Sequence, residues 1–130
     1  FHTGIDPSSP DVIHATPERI NRIAKRCPGL YIIAAHLGGM LVNPEARLEL
    51  AENPHVYFDT SFASHFFSPK EVTPLIRSLG IDHVLFGSDC PWSTSKIQKE
   101  YIEGTDLSVQ EKDKIFSQNA QILLTQLQNL

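Results

Sequence analysis

The sequence predicts an α/β domain built from parallel βα units. Two observations carry this. Short apolar runs alternate with amphipathic stretches along all 130 residues, and the three complete runs begin near residues 30, 55 and 83, so they are 25 (55 − 30) and 28 (83 − 55) residues apart. That spacing accommodates one strand and one helix. Strands that alternate with helices pair in parallel, with the helices laid over the sheet. The length suits a single domain, residues 1–130, or part of one.

Each element has its own signal. "FHTG" (1–4) reads as the end of an earlier strand. Thr16 is placed to cap a helix whose first position is Pro17, and Ile20, Ile23, Ala24 and Cys27 then fall on one face. "LYIIAAH" (30–36) is a continuous, β-branched-rich run after the turn signal "CPG", and it reads as a strand buried on both faces. Residues 44–52 form a shorter helical stretch. "HVYFDTS" (55–61) follows "ENP" and reads as the next strand. "SPKEVTPLIRSLG" opens with a capping box, Ser68 to Glu71, and Val72, Leu75, Ile76 and Leu79 repeat at helical spacing. Pro74 predicts a break or a late start there. "HVLFGSD" (83–89) is the third complete strand. Ser108 and Glu111 form a second capping box, and Ala120, Leu123, Leu124 and Leu127 give the last helix an apolar stripe.

Two architectures satisfy this order. One is an open doubly wound sheet. The other is part of a (β/α)8 barrel, which takes roughly 250 residues when complete. Four strands cannot close a barrel, so the second requires a further half.

Composition narrows the function. Hydrophobic residues make up 41% and charged residues 20%, enough for a packed core. The formal charge is −4 with acids and bases interspersed, so no stripe for nucleic acid is expected. No apolar run approaches the roughly 20 residues of a membrane span, and no secretory signal pattern is read in these residues. Two cysteines, Cys27 and Cys90, are too few for a disulfide framework or a cysteine zinc site, and a reducing, cytoplasmic setting is the default expectation. Because the chain opens on Phe1 as though already under way, residue 1 is not expected to be the translation start.

In both architectures chemistry gathers beyond the carboxyl ends of the strands. The polar residues there are His2, His36, Asp59 to Ser61, Ser88 and Asp89. Ile32, Ala34 and His36 are expected on one face, as are Leu85, Gly87 and Asp89. The small residues beside His36 and Asp89 would leave room for a ligand, and Gly4, Gly38 and Gly39 would let the backbone turn sharply. Two histidines and an aspartate converging from separate strands suit a borderline ion such as Zn²⁺. Taken singly, each residue also has a structural explanation. His36 can be a satisfied buried histidine, Asp89 can start a turn, and Asp59 reads better as a cap or cross-strand acceptor. His55 and His83 read as strand-start or surface residues. His14 and His65 follow strand ends, where they can line a site. Trp92 reads as a wall or packing residue. Cys90 lacks a basic neighbour and reads as packing.

Taken together, "AAHLGG" (34–39), "VYFDTS" (56–61), "VLFGSDCPW" (84–92) and "NAQILL" (119–124), with "FHTG" before them, resemble the amidohydrolase-related family of metal-dependent hydrolases and non-oxidative decarboxylases. The resemblance spans essentially the whole chain. It implies the C-terminal half of a (β/α)8 TIM barrel, strands five to eight, with the N-terminal half absent. His2 matches the family's fifth-strand metal ligand and His36 its sixth-strand histidine at the metal or reacting group. Asp89 matches the eighth-strand aspartate that binds metal and transfers protons. The family's first-strand His-x-His pair has no match here. The implied cofactor is a divalent metal, with zinc as the first expectation, and the implied partner is a small-molecule substrate. Hydrolysis through metal-activated water is the leading activity and decarboxylation the alternative. A third possibility is a non-catalytic half-barrel that assembles with itself or with another polypeptide. An open-sheet binding domain of another family is disfavoured by the lack of a glycine-rich phosphate fingerprint.

Overall fold

The computed structural model describes residues 1–6, 9–40 and 42–129. Its centre is a parallel sheet of β1 (Ile32–Ala34), β2 (Val56–Asp59) and β3 (Val84–Leu85) in that order, with Ile32 opposite Val56 and Phe58 opposite Val84. The first residues add to the edge beside β1. The Phe1 amino group donates to the Ile33 carbonyl at 2.8 Å, the Ala35 N–H donates to the Phe1 carbonyl at 2.9 Å, and Gly4 bridges Met40 in parallel. Four parallel segments therefore present their carboxyl ends on one side.

The helices are α1 (Pro17–Arg26), the short turn α2 (Ala35–Gly38), α3 (Pro44–Ala51), α4 (Pro69–Ser78), α5 (Ser95–Glu103), α6 (Val109–Asp113) and α7 (Asn119–Gln128). A 3₁₀ turn, η1 (Ala63–His65), follows β2, and a π-helical segment at Lys114–Gln118 joins α6 to α7. Thr16 and Ser68 cap α1 and α4 as their sequence predicts, and Ser108 caps α6 in a complete box with Glu111.

Packing explains where the strands differ from expectation. Ile32, Ala34, Val56, Phe58 and Val84 share one core with Ile20 and Ala24 of α1, Leu50 of α3, and Val72 and Ile76 of α4. Among the described residues the other face of the sheet is covered around Tyr57 and Leu85, by Leu123 and Ala120 of α7 and by Tyr31. Ile33 remains 42% exposed, so β1 is buried on one face and not on both. The strands are also shorter than the apolar runs that announce them, because the chain turns away at each carboxyl end.

Three helical expectations are corrected. Pro74 neither breaks nor delays α4, which runs continuously from Pro69. Pro74 sits on the exposed face, and Lys70, whose carbonyl loses its donor, is exposed to water as well. The α7 stripe is only partly used: Leu123 is buried, whereas Leu124 and Leu127 are exposed. Likewise Ile20 and Ala24 of α1 are buried but Ile23 and Cys27 are not. The sequence pattern missed α5 altogether. Buried Asn119 explains part of the "NAQILL" motif: its amide donates to the Ile81 and Val84 carbonyls, both at 2.8 Å, and pins α7 to the start of β3.

Among the described residues no helix is long and apolar enough to cross a membrane.

Candidate functional site

The carboxyl ends of the strands are shaped by backbone that ordinary residues avoid. Among the described residues four non-glycine residues have positive φ: His36 (59°), Leu37 (53°), Phe62 (60°) and Asp89 (65°). Left-handed backbone is uncommon for residues with a Cβ and is held only where surroundings enforce it. Three of the four, His36, Phe62 and Asp89, line a single cavity of about 390 Å³ together with His2, Asp6, Met40 and Trp92. A second, more open hollow of about 420 Å³ shares His2, His36 and Asp89 and reaches Asp59, Ser61 and Gly87.

His36 is the best-supported member. It is only 4% exposed. It does not continue the face of Ile32 and Ala34, because the chain leaves β1 into the left-handed turn of α2. Asp59 fixes that turn. Its Oδ1 accepts from the His36 N–H at 3.1 Å and from the Ser61 N–H at 3.0 Å, and the Ser61 hydroxyl donates to the same oxygen. The structural role expected for Asp59 is therefore the one observed.

The His36 ring is held from both sides. Its Nδ1 lies 3.0 Å from the Ser61 carbonyl and 3.0 Å from the Ser61 hydroxyl oxygen. A carbonyl can only accept, so Nδ1 carries the proton and Nε2 keeps its lone pair. Nε2 lies 3.0 Å from His2 Nδ1, with the rings edge to face at 4.8 Å. His2 Nδ1–H then donates, and His2 Nε2 is left with a lone pair.

Asp89 lines both hollows but stands apart from this hydrogen-bonded pair. Gly87 lines the open hollow, as expected of a residue that leaves room, but the side where a Cβ would sit is occupied. A Cβ there would meet Asp59 Cβ and Cγ and Ser61 Cβ at 3.2 Å, so the glycine admits the brace of His36. Gly39 similarly admits the chain itself, with φ of 103° and Gly4 N 3.1 Å from a Cβ position.

Trp92 is a cavity wall and 75% exposed. Cys90 is exposed and does not pack as expected. His65 is not in the cavity lining but stacks on Phe62, which is, at 3.9 Å between ring centres. His14 is also outside the lining. His55 stacks on Tyr31, and His83 Nδ1 donates to the Val56 carbonyl at 2.9 Å, as befits residues at strand starts. Sequence reasoning missed Asp6, Met40 and Phe62. No periodic signal marks them, although Phe62 directly follows the polar end of β2.

The donor chemistry fits part of a divalent-ion site. His2 Nε2 has a free lone pair, that of His36 Nε2 becomes available when the bond from His2 Nδ1–H is released, and the Ser61 carbonyl fixes the His36 tautomer from behind. The set is incomplete: among the described residues no group of three or more His, Cys, Asp or Glu side chains converges tightly enough to hold a metal.

Solved structures share this architecture. An uncharacterised TIM-barrel protein from Bordetella bronchiseptica superposes with a TM-score of 0.76 at 21% identity, over 95% of this chain and 44% of its own. An amidohydrolase from Burkholderia multivorans with bound zinc gives 0.69 at 16% identity, over 88% of this chain and 51% of its own. A dihydroxybenzoic acid decarboxylase from Polaromonas, with bound manganese and the inhibitor 2-nitroresorcinol, gives 0.67 at 23% identity, over 84% and 38%. At these identities the likeness is one of fold, and the chain spans about half or less of each relative's length. No curated protein matches the sequence. The amidohydrolase family model matches residues 1–125, from the edge segment that carries His2 to the helix that carries Asn119. The chain belongs to the amidohydrolase family.

Proposed function

We propose that the protein is a metal-dependent hydrolase acting on a small-molecule substrate, and that this chain supplies the C-terminal half of its barrel. The observation that carries the proposal is the convergence of His36, Phe62 and Asp89, each in left-handed backbone, with His2 on one cavity at the carboxyl end of a parallel sheet. His2, His36 and Asp89 are this chain's donors to a divalent ion, zinc being the first expectation. When bound, such an ion supplies Lewis acidity and lowers the pKa of water toward neutrality. Asp89 accepts a proton from the attacking water and passes it to the leaving group. His36, with Nδ1–H committed to the Ser61 carbonyl, would offer Nε2 to the ion in exchange for its bond from His2 Nδ1–H, or would donate from that nitrogen as the imidazolium to the substrate oxygen that gains charge. Met40, Phe62 and Trp92 supply an apolar wall for the rest of the substrate.

Non-oxidative decarboxylation is the second reading, supported by the fold shared with a dihydroxybenzoic acid decarboxylase. In that chemistry Asp89 and His36 deliver the proton that replaces the carboxylate. A segment that completes the barrel, or a second copy, is the expected partner. Exposed Ile33 and Phe1 on the open side of the sheet support this.

The test uses the full-length protein: its metal content as isolated, then a substrate screen that separates hydrolysis from release of carbon dioxide. Asp89→Ala should lower turnover by about 10²–10⁴-fold. Absence of metal would leave the non-catalytic half-barrel as the reading. Full activity in Asp89→Ala would remove Asp89 from the mechanism.

A further inference from the structure

The two loops that form the cavity's outer walls are joined by one side chain outside the cavity. Gln98, in the first turns of α5, is 0% exposed. Its Nε2 donates to the Ser64 hydroxyl oxygen at 2.7 Å and to the Ser93 hydroxyl oxygen at 2.9 Å. Ser64 lies in η1, two residues after Phe62. Ser93 directly follows Trp92, and its N–H donates to the Asp89 carbonyl at 3.1 Å. One amide thus ties the loop after β2, which carries Phe62, to the loop after β3, which carries Asp89 and Trp92.

The arrangement is poor as a stability device. Gln98 Oε1 is buried without a protein partner, and a buried acceptor left unpaired opposes folding. An apolar residue of similar volume would avoid that penalty. What Gln98 supplies, and an apolar residue cannot, is a forked donor that fixes the separation of two loops. Both loops contain left-handed non-glycine residues, which need enforcement from their surroundings. A second α5 side chain assists on one side only: the Tyr101 hydroxyl donates to the Phe67 carbonyl at 2.9 Å, at the end of the same loop as Ser64.

We propose that Gln98 is a positioning residue that sets the distance between the Phe62 and Asp89–Trp92 walls and thereby fixes where Asp89 stands on the cavity it shares with His36. Its consequence for metal binding rests on the function proposed above. Its coupling of the two loops does not.

The experiment compares Gln98→Met with the unaltered full-length protein by amide hydrogen exchange and zinc titration. Exchange should rise about tenfold in residues 61–67 and 88–95 and stay unchanged in α1. Zinc affinity should fall about tenfold. Gln98→Glu, which can accept from both serine hydroxyls, should restore both readouts toward normal. Unchanged exchange in either loop overturns the proposal. Loosened loops with unchanged zinc affinity also overturn it, since Gln98 would then be a structural bridge alone. If the unaltered protein binds no zinc, the metal reading fails by itself, and loop exchange still decides the coupling. If Gln98→Met does not fold, Ser64→Ala and Ser93→Ala each cut one bond and should each speed exchange in their own loop. No change in either overturns the coupling.

Discussion

His36 Nε2 faces His2 Nδ1 across 3.0 Å, while the opposite nitrogen of the His36 ring is held 3.0 Å from the Ser61 carbonyl. One imidazole is therefore locked by the fold and the other is positioned by the first. Side chains in contact do not act independently. His2→Ala and His36→Ala should each weaken zinc binding by the full-length protein by at least about 10–100-fold, the loss seen when only the outer-shell partner of a ligand is removed. The double variant should lose less than the product of the two. Calorimetric titration of the four proteins checks this. Strict additivity would mean that the two rings serve different ions or none.

Asp59 separates geometry from charge. Its Oδ1 accepts from two backbone N–H groups and from the Ser61 hydroxyl. Asp59→Ala leaves those donors without an acceptor in a partly buried place, at a cost of about 1–3 kcal/mol. Asp59→Asn retains an oxygen in the same position and should keep most of the stability. Urea unfolding measures both. Equal losses would show that the carboxylate charge, and not its geometry, holds the His36 turn.

Two glycines differ in what surrounds them, so the same substitution should act differently. At Gly87 an added methyl would press on Asp59 and Ser61 at 3.2 Å. Those residues carry His36, so Gly87→Ala should reduce zinc affinity and turnover by a larger factor than it reduces stability. At Gly80 the added methyl meets only His83 Cδ2 at 3.8 Å, but φ is +88°. Gly80→Ala should cost about 1–3 kcal/mol from backbone strain and leave metal binding unchanged. Thermal melts paired with zinc titrations of both variants give the comparison.

The strand-helix rhythm and the polar strand ends were legible because apolar runs and their terminal residues are local signals. The extent of each strand was not. β1 stops at Ala34 because Asp59, 23 residues after His36, holds the His36 N–H in the turn that follows. Helix α5 was hidden because its buried residues are Gln98 and Ile102, while Ile97 is exposed. A hydrophobic pattern cannot reveal a helix anchored by an amide. Its Thr94 cap was the available signal. Pro74 misled because its effect depends on whether the disturbed carbonyl reaches water, which only the packed helix decides. The same limit applies to the site. His2, His36 and Asp89 end apolar runs and can be found there, whereas Phe62 and Met40 enter the cavity through loop conformation.

Acid should test the packing of α4 against α6. Arg77 Nε donates to Glu111 Oε1 at 2.9 Å and Arg77 Nη2 to Glu111 Oε2 at 3.0 Å, while the Ser108 N–H also donates to Glu111. The Arg77 bond first, and the Ser108 backbone bond second, hold the Glu111 carboxyl down to about 2 from a usual 4.5. Glu71 is lowered in the same way by Ser68, whose side chain and backbone it meets in the α4 capping box. A carboxyl with a depressed folded pKa stabilises the fold above its unfolded pKa, and that contribution disappears as pH falls toward the folded value. The window for Glu111 is therefore pH 4.5 down to about 2. The melting temperature should fall through this window, and Glu111→Gln should flatten the fall while lowering stability at pH 7. The pair is partly exposed, Arg77 at 50% and Glu111 at 22%, so the effect should be modest and should shrink further in 1 M salt. Melting curves from pH 7 to pH 2 for both proteins decide it. Identical slopes would show that other carboxylates govern acid unfolding.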